Sequence, residues 1–301
     1  MNVVIKVNDE IKQKMIEYYK DKVRDKKIPY VVFQAQEEDT VITMYESGKV
    51  MFQGTSADVD ASMWGVALEK SKDKEKPKVD EKYHNCSSVG SDEVGTGDYF
   101  GPIVVTASYV EKDDVSFLDE LGVGDSKKIN DEKIKKIAPQ IAKRVKYRSV
   151  ILSNREYNEK YTKNVNMNKI KAIMHNKVLY QLVNEEKPNY DYIIVDEFAR
   201  KTRYYGYLKD VPNVQKDITF MTKAEDKNLA VACSSIISRY LFLKEFDKLC
   251  DEVHIPLVKG ASKEVDKIGE EVVDKYGEDK LKDIAKLNFK NTERILHTMI
   301  F

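Results

Sequence analysis

Along the first third of the chain the spacing of apolar side chains changes character several times. Residues 10–24 carry Ile11, Met15 and Tyr19 at helical intervals, which predicts an α-helix. Residues 30–36 and 40–45 are rich in Val, Ile, Phe and Tyr and predict strands; Glu46-Ser47-Gly48-Lys49 predicts a hairpin turn into a third strand over 50–53. Residues 56–68 predict a closing helix. The expectation for residues 1–68 is a small α-β-β-β-α unit with no cluster of reactive side chains, and therefore a binding role.

Over residues 69–82 the apolar pattern vanishes. Eleven of 14 positions are charged and only Val79 is clearly apolar, too little to build a core, so a linker is expected over 69–84. Beyond it, residues 88–93, 103–109 and 147–152 predict strands and 166–182 a long helix. Residues 192–195 form an apolar run ending in Asp196-Glu197, and 218–221 lead through Thr222-Lys223-Ala224-Glu225 into a second long helix. Strands alternating with helices predict an α/β domain over 85–301, a mixed sheet flanked by helices on both faces.

Composition narrows the class. A chain of 301 residues with 42% hydrophobic content is long enough for two cores. It has no apolar run of about 18 residues, and Met1-Asn2-Val3-Val4-Ile5-Lys6 lacks the basic-then-apolar pattern of a secretion signal, so a cytoplasmic protein is expected. Cys86, Cys233 and Cys250 are too few and too scattered for a disulfide framework or a zinc site. With 51 basic and 51 acidic residues, attraction to nucleic acid has to come from local patches.

The chemistry concentrates in acids. Ser91-Asp92-Glu93-Val94-Gly95-Thr96-Gly97-Asp98-Tyr99-Phe100-Gly101-Pro102 sets two carboxylates side by side at a strand end, an arrangement that costs folding free energy unless a cation offsets it. Asp92, Glu93, Asp196 and Glu225 fall at three separate strand ends, and in an open α/β sheet such ends share one crevice. Four carboxylates there suit two Mg2+ or Mn2+ ions, which fits phosphodiester hydrolysis. Each acid taken alone reads better as a helix cap or a solvated strand end, and only the four together depart from that ordinary pattern. Gly95-Thr96-Gly97 misses the dinucleotide fingerprint by one position, and Asp98 stands where a pyrophosphate would lie; these glycines instead admit close approach of a nucleic-acid strand, or form a turn.

Two segments are basic. Residues 121–150 hold nine Lys or Arg, among them Lys127 and Lys128, against three acids, which is either a nucleic-acid surface or a solvated helix face. Residues 199–209 carry four cations and three tyrosines, including Arg200 and Tyr204, and no acid, the better candidate for gripping phosphates while packing on sugars or bases. The histidines His84, His175, His254 and His297 are scattered, so a Ser or Cys nucleophile with a histidine base is disfavoured, and His175 is read as an ordinary helix residue. The small residues Ala230-Val231-Ala232-Cys233-Ser234-Ser235 predict a helix that packs closely on the sheet.

The acidic segment from Gly90 to Pro102, Asp125-Ser126-Lys127-Lys128, Ile193-Ile194-Val195-Asp196, Thr222-Lys223-Ala224-Glu225 with the helix after it, Lys259-Gly260-Ala261-Ser262 and Ala285-Lys286-Leu287 together resemble the type 2 ribonucleases H, and within them the bacterial ribonuclease HIII branch. The resemblance implies an RNase H-like fold and an endonuclease that cuts the RNA strand of RNA/DNA hybrids, leaving 3′-hydroxyl and 5′-phosphate ends. It implies Asp92, Glu93, Asp196 and Glu225 as catalytic metal ligands, and backbone at Gly95, Thr96 and Gly97 with Lys127, Lys128 and Lys223 as contacts to ribose 2′-hydroxyls and phosphates. Glutamate at 225 favours the HIII branch over HII, and the glycine loop lacks the arginine with which HII enzymes read an RNA-to-DNA junction. Residues 1–68 are similar in layout to the TATA-binding-protein-like domain of that branch, which implies hybrid binding; a monomer is expected. Asn288 departs from the family pattern, which has histidine there. Two other readings stay open: HII-like cleavage at single embedded ribonucleotides, and a catalytically weak hybrid-binding protein.

Overall fold

The structure is a computed structural model that describes residues 2–24, 28–37, 39–54, 56–64, 81–124, 129–162 and 164–298. The chain divides into two compact units, Met1–Lys74 with Gly97–Phe100 and Ile255–Phe301, and Glu75–Thr96 with Gly101–His254.

In the first unit, β1 (Asn2–Lys6), α1 (Asp9–Tyr19), β2 (Val31–Glu37), β3 (Thr40–Tyr45), β4 (Lys49–Gly54) and α2 (Ala57–Ser62) follow one another. The strands form an antiparallel sheet in the order β1-β4-β3-β2. Strand β1 was not expected: five residues with one short apolar run give no alternation to read, and the segment becomes a strand by pairing with β4 and burying Ile5. Helix α1 ends at Tyr19, five residues earlier than expected, because the chain then tightens into a 3-10 turn and Val23 bridges to Ala35. Tyr19, Phe33, Phe52 and Trp64 build the core under this sheet. Most of the charged linker falls outside the described residues.

The second unit opens with a helical turn, α3 (Glu81–His84), at the end of the expected linker. Next come β5 (Ser88–Val94), β6 (Ile103–Val110), α4 (Val115–Leu121), α5 (Asp131–Arg144), β7 (Lys146–Leu152), α6 (Asn154–Lys160) and α7 (Met167–Glu186). They are followed by β8 (Tyr192–Asp196), α8 (Lys201–Tyr207), β9 (Ile218–Met221) and α9 (Leu229–Val253). The sheet runs β7-β6-β5-β8-β9, with β5, β8 and β9 parallel and β6 and β7 antiparallel, the mixed α/β arrangement expected. Side chains alternate across a pleat, and the alternation is visible in β5: Ser91 and Glu93 meet α7, whereas Gly90 faces α9. Helices therefore cover both faces.

Helix α9 sits unusually near the sheet. A Cβ at Gly90 would fall 2.4 Å from the Val231 backbone nitrogen. Ser234 Oγ donates to the Gly90 carbonyl at 2.9 Å, Ser108 Oγ to the Ala230 carbonyl at 2.7 Å, and Ser238 Oγ lies 2.9 Å from Thr106 Oγ1. These buried hydroxyls find partners that water would otherwise supply. The small-residue run read from the sequence is thus the contact surface of α9.

The chain closes in the first unit with α10 (Lys263–Tyr276), α11 (Leu281–Ile284) and α12 (Lys290–Thr298). By compactness Ile255–Phe301 cluster with Met1–Lys74 and Gly97–Phe100. Fully buried Lys286 donates from Nζ to the Asp98 carbonyl at 2.8 Å, and burial brings its pKa down to about 7.

Gly90→Ala is expected to destabilise the protein by about 1–3 kcal/mol or more, because the added methyl meets helix backbone that cannot swing aside. Urea unfolding of the two proteins checks this.

Candidate active site

The five-stranded sheet decides where the acids go. Strand β5 runs parallel to β8 with Ser91 opposite Val195, so Asp92 and Asp196 are the next residues along two adjacent strands, at their carboxyl ends. Asp196 Oδ1 accepts from the Ala224 amide at 2.9 Å. That bond ties the strand end to a 3-10 turn, Ala224–Asp226, and brings the neighbouring residue Glu225 to the same end of the sheet. Lys223, exposed and in the left-handed region at φ 53°, makes the sharp entry to this turn. Asn228 then caps α9 by accepting from the Val231 amide, and its Nδ2 donates to the Tyr83 carbonyl and to Ser88 Oγ.

Asp92 and Asp196 are half-buried, and Glu225 is 8% exposed. Asp92 Oδ1 accepts from the Glu93 amide at 2.8 Å, and its carbonyl lies 3.2 Å from Ser238 Oγ of α9. The donors are all carboxylate oxygens, the set that hard divalent cations take. Asp92, Asp196 and Glu225 fit such an ion by chemistry and by backbone position. Among the described residues, however, no three His, Cys, Asp or Glu side chains stand together as a ready-made cage.

Glu93 explains part of this. The expected pairing of Asp92 with Glu93 is a neighbourhood in sequence, while the pleat sends Glu93 to the α7 face. There Lys171 Nζ donates to Oε1 at 2.5 Å, and His175 Nε2 lies 2.8 Å from Oε2. Burial would raise the Glu93 carboxyl, but the Lys171 ammonium and the His175 ring outweigh it and hold the group well below the usual carboxylate range. Phe198 backs both partners: its ring stacks on His175 with centroids 5.1 Å apart, and Lys171 Nζ is 4.2 Å from its centroid. Lys171 and His175 were missed in the sequence. The signal was there in their i, i+4 spacing on a helix whose neighbouring positions are apolar, which puts a cation and an imidazole on one core-facing stripe.

Ser91 Oγ lies 2.8 Å from His175 Nδ1, which completes a Ser91–His175–Glu93 series. It is not a nucleophilic triad, since Ser91 and His175 are both 0% exposed and no substrate atom reaches the hydroxyl.

The expected substrate contacts separate. Gly95, just after β5, has φ 97° and no room for a Cβ, which would lie 2.1 Å from the Pro102 carbonyl. Gly97 has open space there, and Thr96 between them is half-buried. Arg200 is exposed at the start of α8. Tyr204 is a correction: it is fully buried among Phe198, Tyr205 and Phe220, because on a seven-residue helix the face opposite the cations must cover the sheet. Lys127 and Lys128 lie outside the described residues. Of the first basic segment, Lys135, Arg144, Lys146 and Arg148 pair with Asp247, Asp114, Glu186 and Glu185, which favours the solvated-face reading there. Asn288 is half-buried in the turn between α11 and α12.

The chain is similar to known proteins along nearly its whole length. The Ribonuclease HII family matches residues 89–292, and a Domain of unknown function (DUF3378) matches residues 2–77. The chain is 39% identical to Ribonuclease HIII of Bacillus cereus over 307 residues, covering 99% of each protein, and 39% identical to that of Bacillus anthracis, covering 97% of each. Among solved structures it is similar to Bst-RNase HIII in complex with Mn2+, with 37% identity, a TM-score of 0.71 and 99% of each chain covered. Aquifex aeolicus RNase H3, 24% identical with a TM-score of 0.55, shares the fold.

Because the Tyr204 hydroxyl is buried without a hydrogen-bond partner among the described residues, Tyr204→Phe is expected to leave stability unchanged or to raise it. Thermal unfolding of the variant, with affinity for nucleic acid measured beside it, distinguishes a core tyrosine from a contact residue.

Proposed function

The chain belongs to the ribonuclease HIII family and is a ribonuclease H, and from that premise we propose that it is a divalent-metal-dependent endonuclease hydrolysing the RNA strand of RNA/DNA hybrids to 3′-hydroxyl and 5′-phosphate ends. The observation that carries the site assignment is the placing of Asp92 and Asp196 at the carboxyl ends of adjacent parallel strands, with Glu225 tethered beside them through the bond from Ala224 to Asp196. Asp92, Asp196 and Glu225 would hold Mg2+ or Mn2+, with Glu93 completing the set. Bound ions would supply a Lewis acid that activates water and steadies the leaving oxygen, as two-metal phosphodiesterases do. The protein's own part is to fix these carboxylates on a rigid sheet end. Backbone at Gly95–Gly97, with Lys223, Arg200 and the Lys127-Lys128 segment, would contact ribose hydroxyls and phosphates, so cleavage is largely independent of base sequence.

Residues 1–68 are assigned to hybrid binding, 69–84 to the linker and 85–301 to catalysis, in a cytoplasmic monomer. No helix among the described residues is long and apolar enough to cross a membrane. Glutamate at 225 and the absence of arginine in the Gly95–Gly97 loop favour long hybrids over single embedded ribonucleotides as substrate.

Asp92→Asn is expected to abolish nearly all turnover of an end-labelled hybrid in Mg2+ or Mn2+ while hybrid affinity persists; near-normal cleavage by this variant overturns the assignment. In the same assay a duplex with one ribonucleotide should stay nearly intact, and cutting only there points to the HII-like activity. Deleting residues 1–68 is expected to weaken hybrid affinity far more than it slows the bound complex, as read by binding and single-turnover cleavage.

A further inference from the structure

Lys171 is a charged side chain with 2% exposure, and a buried ammonium is tolerated only beside a compensating anion. Its anion is Glu93, whose other oxygen faces His175, so both oxygens of one proposed metal ligand already have partners inside the protein. Helix α7 delivers the two partners from adjacent turns, and Phe198 packs against both, leaving the ammonium little freedom to leave. The acids on the other side of β5 therefore share their strand end with a fixed positive charge supplied by the fold.

Resting on the reading of Asp92, Glu93, Asp196 and Glu225 as the metal site, we propose that Lys171, steadied by His175 and Phe198, is a resident counter-cation of that site, which competes with divalent metal for Glu93. It has two consequences. In the metal-free protein Lys171 offsets the repulsion among neighbouring carboxylates, so the strand ends assemble without an ion. When metal arrives, the same charge repels it and Glu93 must be shared, so affinity is lower than four carboxylates alone would give. Metal loading is then completed by the negative phosphate of the bound nucleic acid, in the way Mg2+ sites combine a few carboxylates with substrate phosphate. Lys171 touches no reacting atom and acts through Glu93, as a positioning residue.

The test uses full-length wild type, Lys171→Met, Glu93→Gln and the double variant, with Mn2+ as the probe. Metal-free Lys171→Met is expected to melt several degrees lower, at least about 6 °C, since one buried charge has lost its partner. Calorimetric titration should nevertheless show Mn2+ binding roughly three- to tenfold tighter than wild type, and Mn2+ should raise the melting temperature of the variant more than that of wild type. A residue that merely supports the fold would lower stability and affinity together, so Mn2+ affinity equal to or weaker than wild type overturns the proposal. If Lys171→Met does not fold, the double variant decides: removal of both charges should restore folding beyond either single change, and a double variant no more stable than the singles also overturns it. A wild type that neither binds Mn2+ nor cuts hybrid would sink the nuclease reading instead, leaving the metal-free coupling between residues 93 and 171 to stand or fall separately.

Discussion

The seating of α9 against β5 governs the geometry of the second unit. At Gly90 the helix comes so near that a single methyl group has no place, and the hydroxyls of Ser234, Ser238 and Ser108 satisfy backbone and side-chain groups that this approach shuts away from water. The same helix begins at Asn228, two residues after the 3-10 turn that carries Glu225, and reaches the Asp92 carbonyl four residues beyond Ser234. One rigid element thus sets the depth of β5 and the position of the turn that follows β9. Acids from distant parts of the chain are held at one end of the sheet because they share this support.

Electrostatics then divides the acids. Asp92 and Asp196 each accept a hydrogen bond from a backbone amide, which orients the carboxylate at its strand end. Glu93 is handled differently, by a lysine and a histidine inside the core. The pleat makes the division unavoidable, since consecutive residues of a strand cannot share a face. Carboxylates gathered in a partly desolvated place have to be offset, and at Glu93 the fold itself provides the cation.

The basic segments show how charge count and function part company. Along α5 and β7 the cations mostly face acids of neighbouring elements, so the local surplus is neutralised by tertiary contacts. Around α8 the cations Arg200, Lys201 and Arg203 stay exposed while Tyr204 turns into the core. A short amphipathic helix offers one face to solvent and one to the sheet, so interleaved cations and aromatics in sequence become separate layers in space.

By itself the sequence determined a good deal. Period and turn chemistry located β2 to β9 and α7 to within a few residues, the small residues of α9 predicted its close packing, and Asp92, Asp196 and Glu225 stood out as a set because they fall at three separate strand ends. Strand β1 was hidden because a five-residue strand at the start of a chain has too little alternation to show, and pairing with β4 decides its conformation. The face each residue takes was also out of reach: that Tyr204 is core and Arg200 surface, that Glu93 departs from Asp92, and that Lys171 and His175 wait behind it are settled by which helix covers which side of the sheet. Spacing along a chain tells which residues share a stripe, but only the packed layers decide what that stripe meets, because burial and charge pairing are set by neighbours from distant segments.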